Sequence, residues 1–193
     1  LKFGGSSVAT SENIKKVLAI VETASKNQKI AVVVSAFGKT TNNLLAGADE
    51  ALKNINSAKE TLENLKELHF NIIDDLVIKN KKDVSEEVSS LFNRLTSIYE
   101  GVFLLQELSN KTLAKVSSFG ERLSSYIIAN AAKELFDTNH KDSRNLVITN
   151  DDYLNAQVNF KATNKNIISF FKENKHKVTV LGGFISSNIA KET

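Results

Sequence analysis

Hydrophobic residues recur along this chain with helical spacing in some stretches and as short continuous runs in others. Ile14, Val17, Leu18 and Val21 fall at i, i+3, i+4 and i+7, which predicts an amphipathic helix over about 11–26. Lys29-Ile30-Ala31-Val32-Val33-Val34 is a short apolar run rich in β-branched residues, the pattern of a parallel strand buried on both faces. Lys2-Phe3 reads as the end of an earlier strand, so the chain opens with a βαβ unit. A right-handed crossover makes the two strands parallel and leaves their C-terminal ends at one edge. A helix is expected over about 41–54, followed by three long ones over about 57–79, 84–107 and 111–135, in a segment poor in Gly and rich in Leu, Ile, Glu and Lys. Leu91, Leu95, Ile98 and Val102 form one apolar stripe there, and Leu113, Val116, Leu123, Ile127 and Ala131 another. Ser85-Glu86-Glu87-Val88 and Ser109-Asn110 read as helix starts. Arg144 to Thr149 reads as a strand, Asn150 to Asn155 as a polar loop, and Thr163 to Lys175 as a helix with Ile167, Ile168 and Phe171 inward. Val178-Thr179-Val180-Leu181 is a last buried strand, ended by Gly182-Gly183. The class expected is α/β: an open, mainly parallel sheet flanked by helices, one lobe with a long helical insert.

At 193 residues this is one domain or one large lobe. A content of 41% hydrophobic and 24% charged residues suits a packed core. The net charge of +3, with both signs interspersed, gives no basic stripe for nucleic acid. No run reaches the length of a membrane span, and no secretory signal is visible. The absence of Cys removes thiol chemistry and fits a reducing, cytoplasmic setting. The chain begins without Met, part-way into its first strand, and is expected to be a piece of a longer protein.

The glycines mark where chemistry can sit. In Leu1-Lys2-Phe3-Gly4-Gly5-Ser6-Ser7-Val8-Ala9, a strand ends in a glycine turn with two hydroxyls, and Thr10 or Ser11 can cap the next helix. Backbone N–H groups at such a junction suit phosphate, and Lys2 adds a point charge. An ordinary strand–turn–helix junction has the same spelling. Gly38-Lys39-Thr40 resembles the end of a P-loop, but the first glycine of that motif would fall on Val33, inside the strand. The Ser35 to Thr41 loop suits an acceptor substrate instead, with small hydroxyls able to bond a carboxylate. Thr40 or Thr41 could equally cap the following helix.

Glu121 stands on an apolar helical face beside Ser117, Ser124, Ser125 and Ile128. A half-buried carboxylate there needs a cation. Arg122 or a lysine of the protein could supply it, and so could the ammonium of an amino-acid ligand. His69, His140 and His176 lack ligand spacing and read as surface or packing residues. Asp74-Asp75 and Asp151-Asp152 read as solvated charges rather than metal ligands.

Lys-Phe-Gly-Gly-Ser-Ser, Ser35-Ala36 with Thr41-Asn42, Gly120-Glu121-Arg122-Leu123-Ser124 and Gly183-Phe184-Ile185, in this order, resemble the aspartate kinases of the amino-acid-kinase superfamily. The resemblance runs over the whole chain. It implies ATP-dependent phosphorylation of the side-chain carboxylate of L-aspartate, the first step toward lysine, threonine and methionine. By that resemblance, Lys2 is catalytic, and Lys2, Gly4, Gly5, Ser6 and Ser7 hold the ATP phosphates. Ser35, Thr41, Glu121, Gly183 and Phe184 hold aspartate. Mg²⁺ binds through the phosphates, with no protein metal site. Ser6 replaces the usual Thr and keeps the hydroxyl. The Gly-Arg-Gly-Gly-Ser-Asp motif, the nucleotide lobe and the regulatory ACT domains of the family lie outside these residues. Residues 1–193 are therefore expected to be the amino-acid-binding part of the catalytic domain, inactive alone, in a homo-oligomer assembled through the regulatory domains. Phe103 to Leu108 is similar to the bifunctional aspartokinase–homoserine dehydrogenases. Acetylglutamate, glutamate 5-, carbamate and uridylate kinases share the glycine turn, and a non-catalytic binding module on the same fold is the remaining alternative.

Overall fold

The computed structural model describes all residues 1–193. Four parallel strands, β1 (Lys2–Phe3), β2 (Ile30–Val34), β3 (Thr138–His140) and β4 (Val178–Gly182), form one sheet in the order β1-β2-β4-β3. Its register sets Phe3 beside Val34, Val34 beside Gly182, and His140 beside Val180. All four C-terminal ends therefore open on one edge. Six helices flank the sheet: α1 (Ser11–Ser25), α2 (Thr40–Ala51), α3 (Ile55–Leu76), α4 (Lys81–Leu105), α5 (Asn110–Lys133) and α6 (Phe160–Glu173). None is long and apolar enough to cross a membrane.

Local chemistry explains most boundaries. The Thr10 hydroxyl accepts the Asn13 N–H at the start of α1, and Ser109 accepts the Thr112 N–H at the start of α5. Asn54 caps α3 through the N–H groups of Asn56 and Ser57. α4 begins four residues before the expected Ser85, directly after Asn80 and without a side-chain cap. Asp83 in its first turn complements the helix dipole instead.

α5 is the central helix. It packs on β2, β3 and β4 and carries fourteen buried residues, from Val116 to Ala132. α2, α3 and α4 stack on its outer side around a core that includes Leu44, Ile73, Leu95, Phe92 and Tyr99. Full burial of each such side chain contributes about 1.5–3 kcal/mol. Two polar side chains inside this core bond to backbone carbonyls, although the buried Nε2 of His69 has no partner. The Tyr99 hydroxyl donates to the Leu44 carbonyl at 2.5 Å, and burial raises its pKa. His69 lies between the rings of Phe37 and Phe92, and its Nδ1–H donates to the Leu65 carbonyl at 2.7 Å. Burial lowers its pKa to about 4, so the ring is neutral packing material.

Three sequence expectations are corrected. Arg144–Thr149 is not a strand of the sheet. Ser143–Asn145 is a 3₁₀ turn, and Ile148 and Thr149 make only single bridges, to Ser187 and Val158. The strand at that side is the short polar β3, whose edge position requires no apolar run. β2 is buried on one face only: Ala31 is exposed and Val33 half-buried, whereas all five residues of β4 are buried. The open face of β2 forms one wall of an apolar groove of about 460 Å³ that Leu181, Ile167 and Phe171 also line. Ile168 is 67% exposed on the outer side of α6, so Ile167 and Phe171 alone turn toward the sheet.

Candidate active site

Four segments converge at the C-terminal edge of the sheet: the turn after β1, the loop after β2, the middle of α5 and the turn after β4. Glycines permit the approach. A Cβ on Gly5 would lie 3.0 Å from the Gly38 carbonyl oxygen and 3.2 Å from that of Ala36. The Gly38 N–H donates to the Gly5 carbonyl at 3.2 Å, joining the first two loops directly. A Cβ on Gly120 would lie 2.6 Å from Thr41 Oγ1 and 2.8 Å from the Ala36 Cβ. A Cβ on Gly182 would lie 3.0 Å from the Glu121 Cβ. Gly4, by contrast, has open space where a side chain would go, so contact does not require glycine there.

Hydroxyls pin the segments together. Ser124 Oγ donates to the Ser35 carbonyl at 2.9 Å, tying α5 to the loop after β2. Ser143 Oγ donates to the Gly182 carbonyl at 2.6 Å, and Ser125 Oγ meets His140 Nε2 at 3.0 Å. Thr40 is buried and donates its hydroxyl to the Phe37 carbonyl at 2.7 Å, so it closes the loop and does not cap α2. Thr41 is left half-buried against Gly120.

Glu121 is buried in this junction, 7% exposed. Its Oε1 accepts the Ala36 N–H at 3.3 Å and the Ser35 hydroxyl at 3.5 Å. Both bonds are long and come from neutral donors. No Lys or Arg forms an ion pair with it. Burial raises its pKa against the lowering effect of the Ala36 N–H and Ser35. Arg122, the neighbour that sequence offered as its partner, projects elsewhere, with its guanidinium 4.2 Å from the centre of the Phe119 ring. Adjacent helical residues do not share a face.

The remaining expected residues lie along the same edge. The Lys2 ammonium sits 5.5 Å over the ring of Phe184, a 92% exposed residue at φ 54° in the turn after β4. Gly183 is anchored by its N–H to the Val34 carbonyl at 2.8 Å. Gly5–Val8 is a 3₁₀ turn. Within it the Ser7 N–H donates to Gly4, while the N–H groups of Gly5 and Ser6 have no protein acceptor. Ser6 and Ser7 are exposed. Sequence reading passed over Ser143 as a tie between strand ends, for which a lone serine carries no signal. The role of Gly120 was more visible, since glycine inside a helix costs about 1 kcal/mol and needs a reason.

Unpaired backbone N–H groups, a lysine and a buried carboxylate with a serine hydroxyl beside it thus gather at one edge of a parallel α/β sheet. The sequence profile of the amino acid kinase family matches residues 1–192, and the chain belongs to that family. A bifunctional aspartokinase/homoserine dehydrogenase of Buchnera aphidicola is 31% identical over the whole chain. The chloroplastic aspartokinase 1 of Arabidopsis thaliana is 35% identical over 67% of it. The chain spans 24% and 22% of the lengths of these two relatives. Among solved structures, E. coli aspartokinase III in complex with aspartate and ADP matches 98% of the chain with a TM-score of 0.87 at 26% identity. The match covers 41% of that structure.

Proposed function

We propose that these residues form the amino-acid side of an aspartate kinase site, which phosphorylates the side-chain carboxylate of L-aspartate with ATP. The observation that carries this reading is Glu121: a buried carboxylate with no protein cation, beside the Ser35 hydroxyl and next in sequence to Gly120, which packs on Thr41, at the same sheet edge as Lys2 and the free N–H groups of Gly5 and Ser6. A substrate ammonium supplies the missing charge. The aspartokinase relatives, and the solved relative that holds aspartate and ADP, support the same assignment.

ATP supplies the phosphoryl group, and Mg²⁺ carried on its phosphates offsets their charge. A carboxylate oxygen of aspartate attacks the γ-phosphorus, the bond from that phosphorus to the β,γ-bridging oxygen breaks, and ADP leaves with the electron pair. The attacking carboxylate is already ionised at neutral pH, so no general base is required. The protein's tasks are alignment and charge stabilisation. Lys2 and the N–H groups of Gly5 and Ser6 hold the transferring group and its neighbours. Glu121 fixes the substrate ammonium. Thr41 and Ser35 orient aspartate, and Gly183 with Phe184 forms the wall toward Lys2.

In this reading residues 1–193 hold the amino acid, and turnover needs further parts of a chain as long as the relatives. The product enters lysine, threonine and methionine synthesis in the cytoplasm, and the whole protein is a homo-oligomer. ADP release by the complete protein, measured by a coupled assay against L-aspartate, N-acetyl-L-glutamate and L-glutamate, tests the assignment. Turnover with aspartate alone is expected. No turnover with aspartate, or faster turnover of another acceptor, overturns it.

A further inference from the structure

This chain contains 25 basic residues, of which only Arg94, Arg122 and Arg144 are arginines. All three line one cavity of about 530 Å³ between α4, α5 and the 3₁₀ turn Ser143–Asn145. Lys115 adds a fourth cation, and Ser90, Asn93 and Ser97 add neutral hydrogen-bonding groups. We propose that this cavity is a binding site for a compact multivalent oxyanion, a phosphoryl or polycarboxylate compound.

The hydrogen-bond inventory carries the argument. Arg144 is the only one of the four cations with a carboxylate partner: it makes a bidentate contact to Asp142, with its closest approach at 2.6 Å, and also donates to the Thr193 hydroxyl. Arg94, Lys115 and Arg122 form no ion pair, and their side chains donate no hydrogen bond to the protein. Arg94 and Lys115 are exposed at the rim. Arg122 is different. It is half-buried, and its guanidinium carbon lies 4.2 Å from the centre of the Phe119 ring, a cation–π contact that restrains the side chain. Its five N–H donors have no acceptor in the protein and are open to an anion entering the cavity. Burial, together with the repulsion of Arg144 and Arg94, lowers the Arg122 pKa to about 10, against the opposing pull of Asp142 and Glu87. Four cations against these two carboxylates leave the cavity positive. Planar guanidinium forks match the geometry of phosphate and carboxylate oxygens, which lysines do not. The site is separate from the sheet-edge cleft, because Arg122 and Glu121 project from different faces of α5.

Isothermal titration of the complete protein with inorganic pyrophosphate tests this, with citrate as the carboxylate arm. Pyrophosphate can also enter a nucleotide site, so the titration is repeated in a Lys2→Ala background. Binding that survives Lys2→Ala, falls about tenfold or more in both Arg122→Gln and Arg94→Gln, and weakens with added salt is expected. Tighter binding of pyrophosphate than of citrate assigns a phosphoryl ligand, and the reverse assigns a polycarboxylate. Arg94 is exposed, so its variant reads the site even if Arg122→Gln, which removes packing on Phe119, folds poorly. Binding abolished by Lys2→Ala and indifferent to both arginine variants overturns the proposal, as does the absence of binding by either anion.

Discussion

Two neighbours on α5, Glu121 and Arg122, open onto two different regions of the molecule. The first faces the sheet edge, where its hydrogen-bond donors are a hydroxyl and a backbone N–H and no cation answers the carboxylate. The second faces the arginine cavity, where cations outnumber carboxylates and its own donors go unanswered. In sequence they look like a salt bridge. The helix separates them by about 100° and sends each charge to a place where the protein offers no partner. Contrast the interior between α2, α3 and α4, where Tyr99 and His69 each donate to a backbone carbonyl. Charge left without an ion-pair partner on two sides of one helix is the feature on which both proposals rest.

Four substitutions break or sharpen this contrast. The largest effect belongs to Lys2→Ala in the complete protein. It is expected to lower kcat by about 10²- to 10³-fold, with the KM for aspartate nearly unchanged, because it removes charge stabilisation on the transferring phosphoryl group. Steady-state kinetics check it, and near-normal turnover rules out this role. Next, Glu121→Ala is expected to raise the KM for aspartate by roughly 30- to 100-fold with a smaller change in kcat, as loss of a charge-assisted contact to the ammonium demands. An unchanged KM would make Glu121 a structural residue.

A smaller loss is expected from Gly120→Ala. The added methyl, 2.6 Å from Thr41 Oγ1, must push the loop after β2 away from α5. A rise of about tenfold in the aspartate KM, with kcat largely kept, is expected from this misplacement. Ser at position 120 should be no better than Ala.

The smallest effect has the opposite sign. Glu121→Gln is expected to stabilise the ligand-free chain at pH 7 by up to about 1 kcal/mol while weakening aspartate binding. Between the ordinary glutamate pKa and the raised Glu121 value, the native state holds a proton that the unfolded state has released. Stability therefore falls as pH rises from the ordinary glutamate value through the raised one. The gain from Gln is full above that window and absent below it. Denaturant unfolding at several pH values reads this directly, and a pH-independent difference would mean that the Glu121 charge is already compensated.

Much of this architecture was legible in the sequence. Ile14 to Val21 and the stripes of α4 and α5 announce their helices because 3.6-residue periodicity is a local property. The glycine motifs announced loops at the sheet edge, because strand, turn and helix start follow one another within a few residues. The element boundaries that failed are those set by distant contacts. Thr138-Asn139-His140 has no apolar signature, and it is a strand only because β4 offers an edge to pair with. Leu146 to Thr149 has that signature, yet it packs in the groove beside α6 and bridges to Ser187 and Val158. Ala31 and Val33 sit in a continuous apolar run, but their exposure depends on what covers that face of the sheet.

The order of residues alone determined which groups are available: a lysine before a glycine turn, hydroxyls after a buried strand, a glutamate on an apolar helical face, and three arginines in a lysine-rich chain. Tertiary structure decided which of them meet. Ser35 and Glu121 are brought together across 86 positions by the pairing of β2 with β4 and the packing of α5 on both. Arg94 and Arg144 are gathered around Arg122 by the same packing seen from the other side. Side-chain periodicity is written into neighbouring residues, whereas the match or mismatch of charge is settled only when the helix has a sheet to lie on.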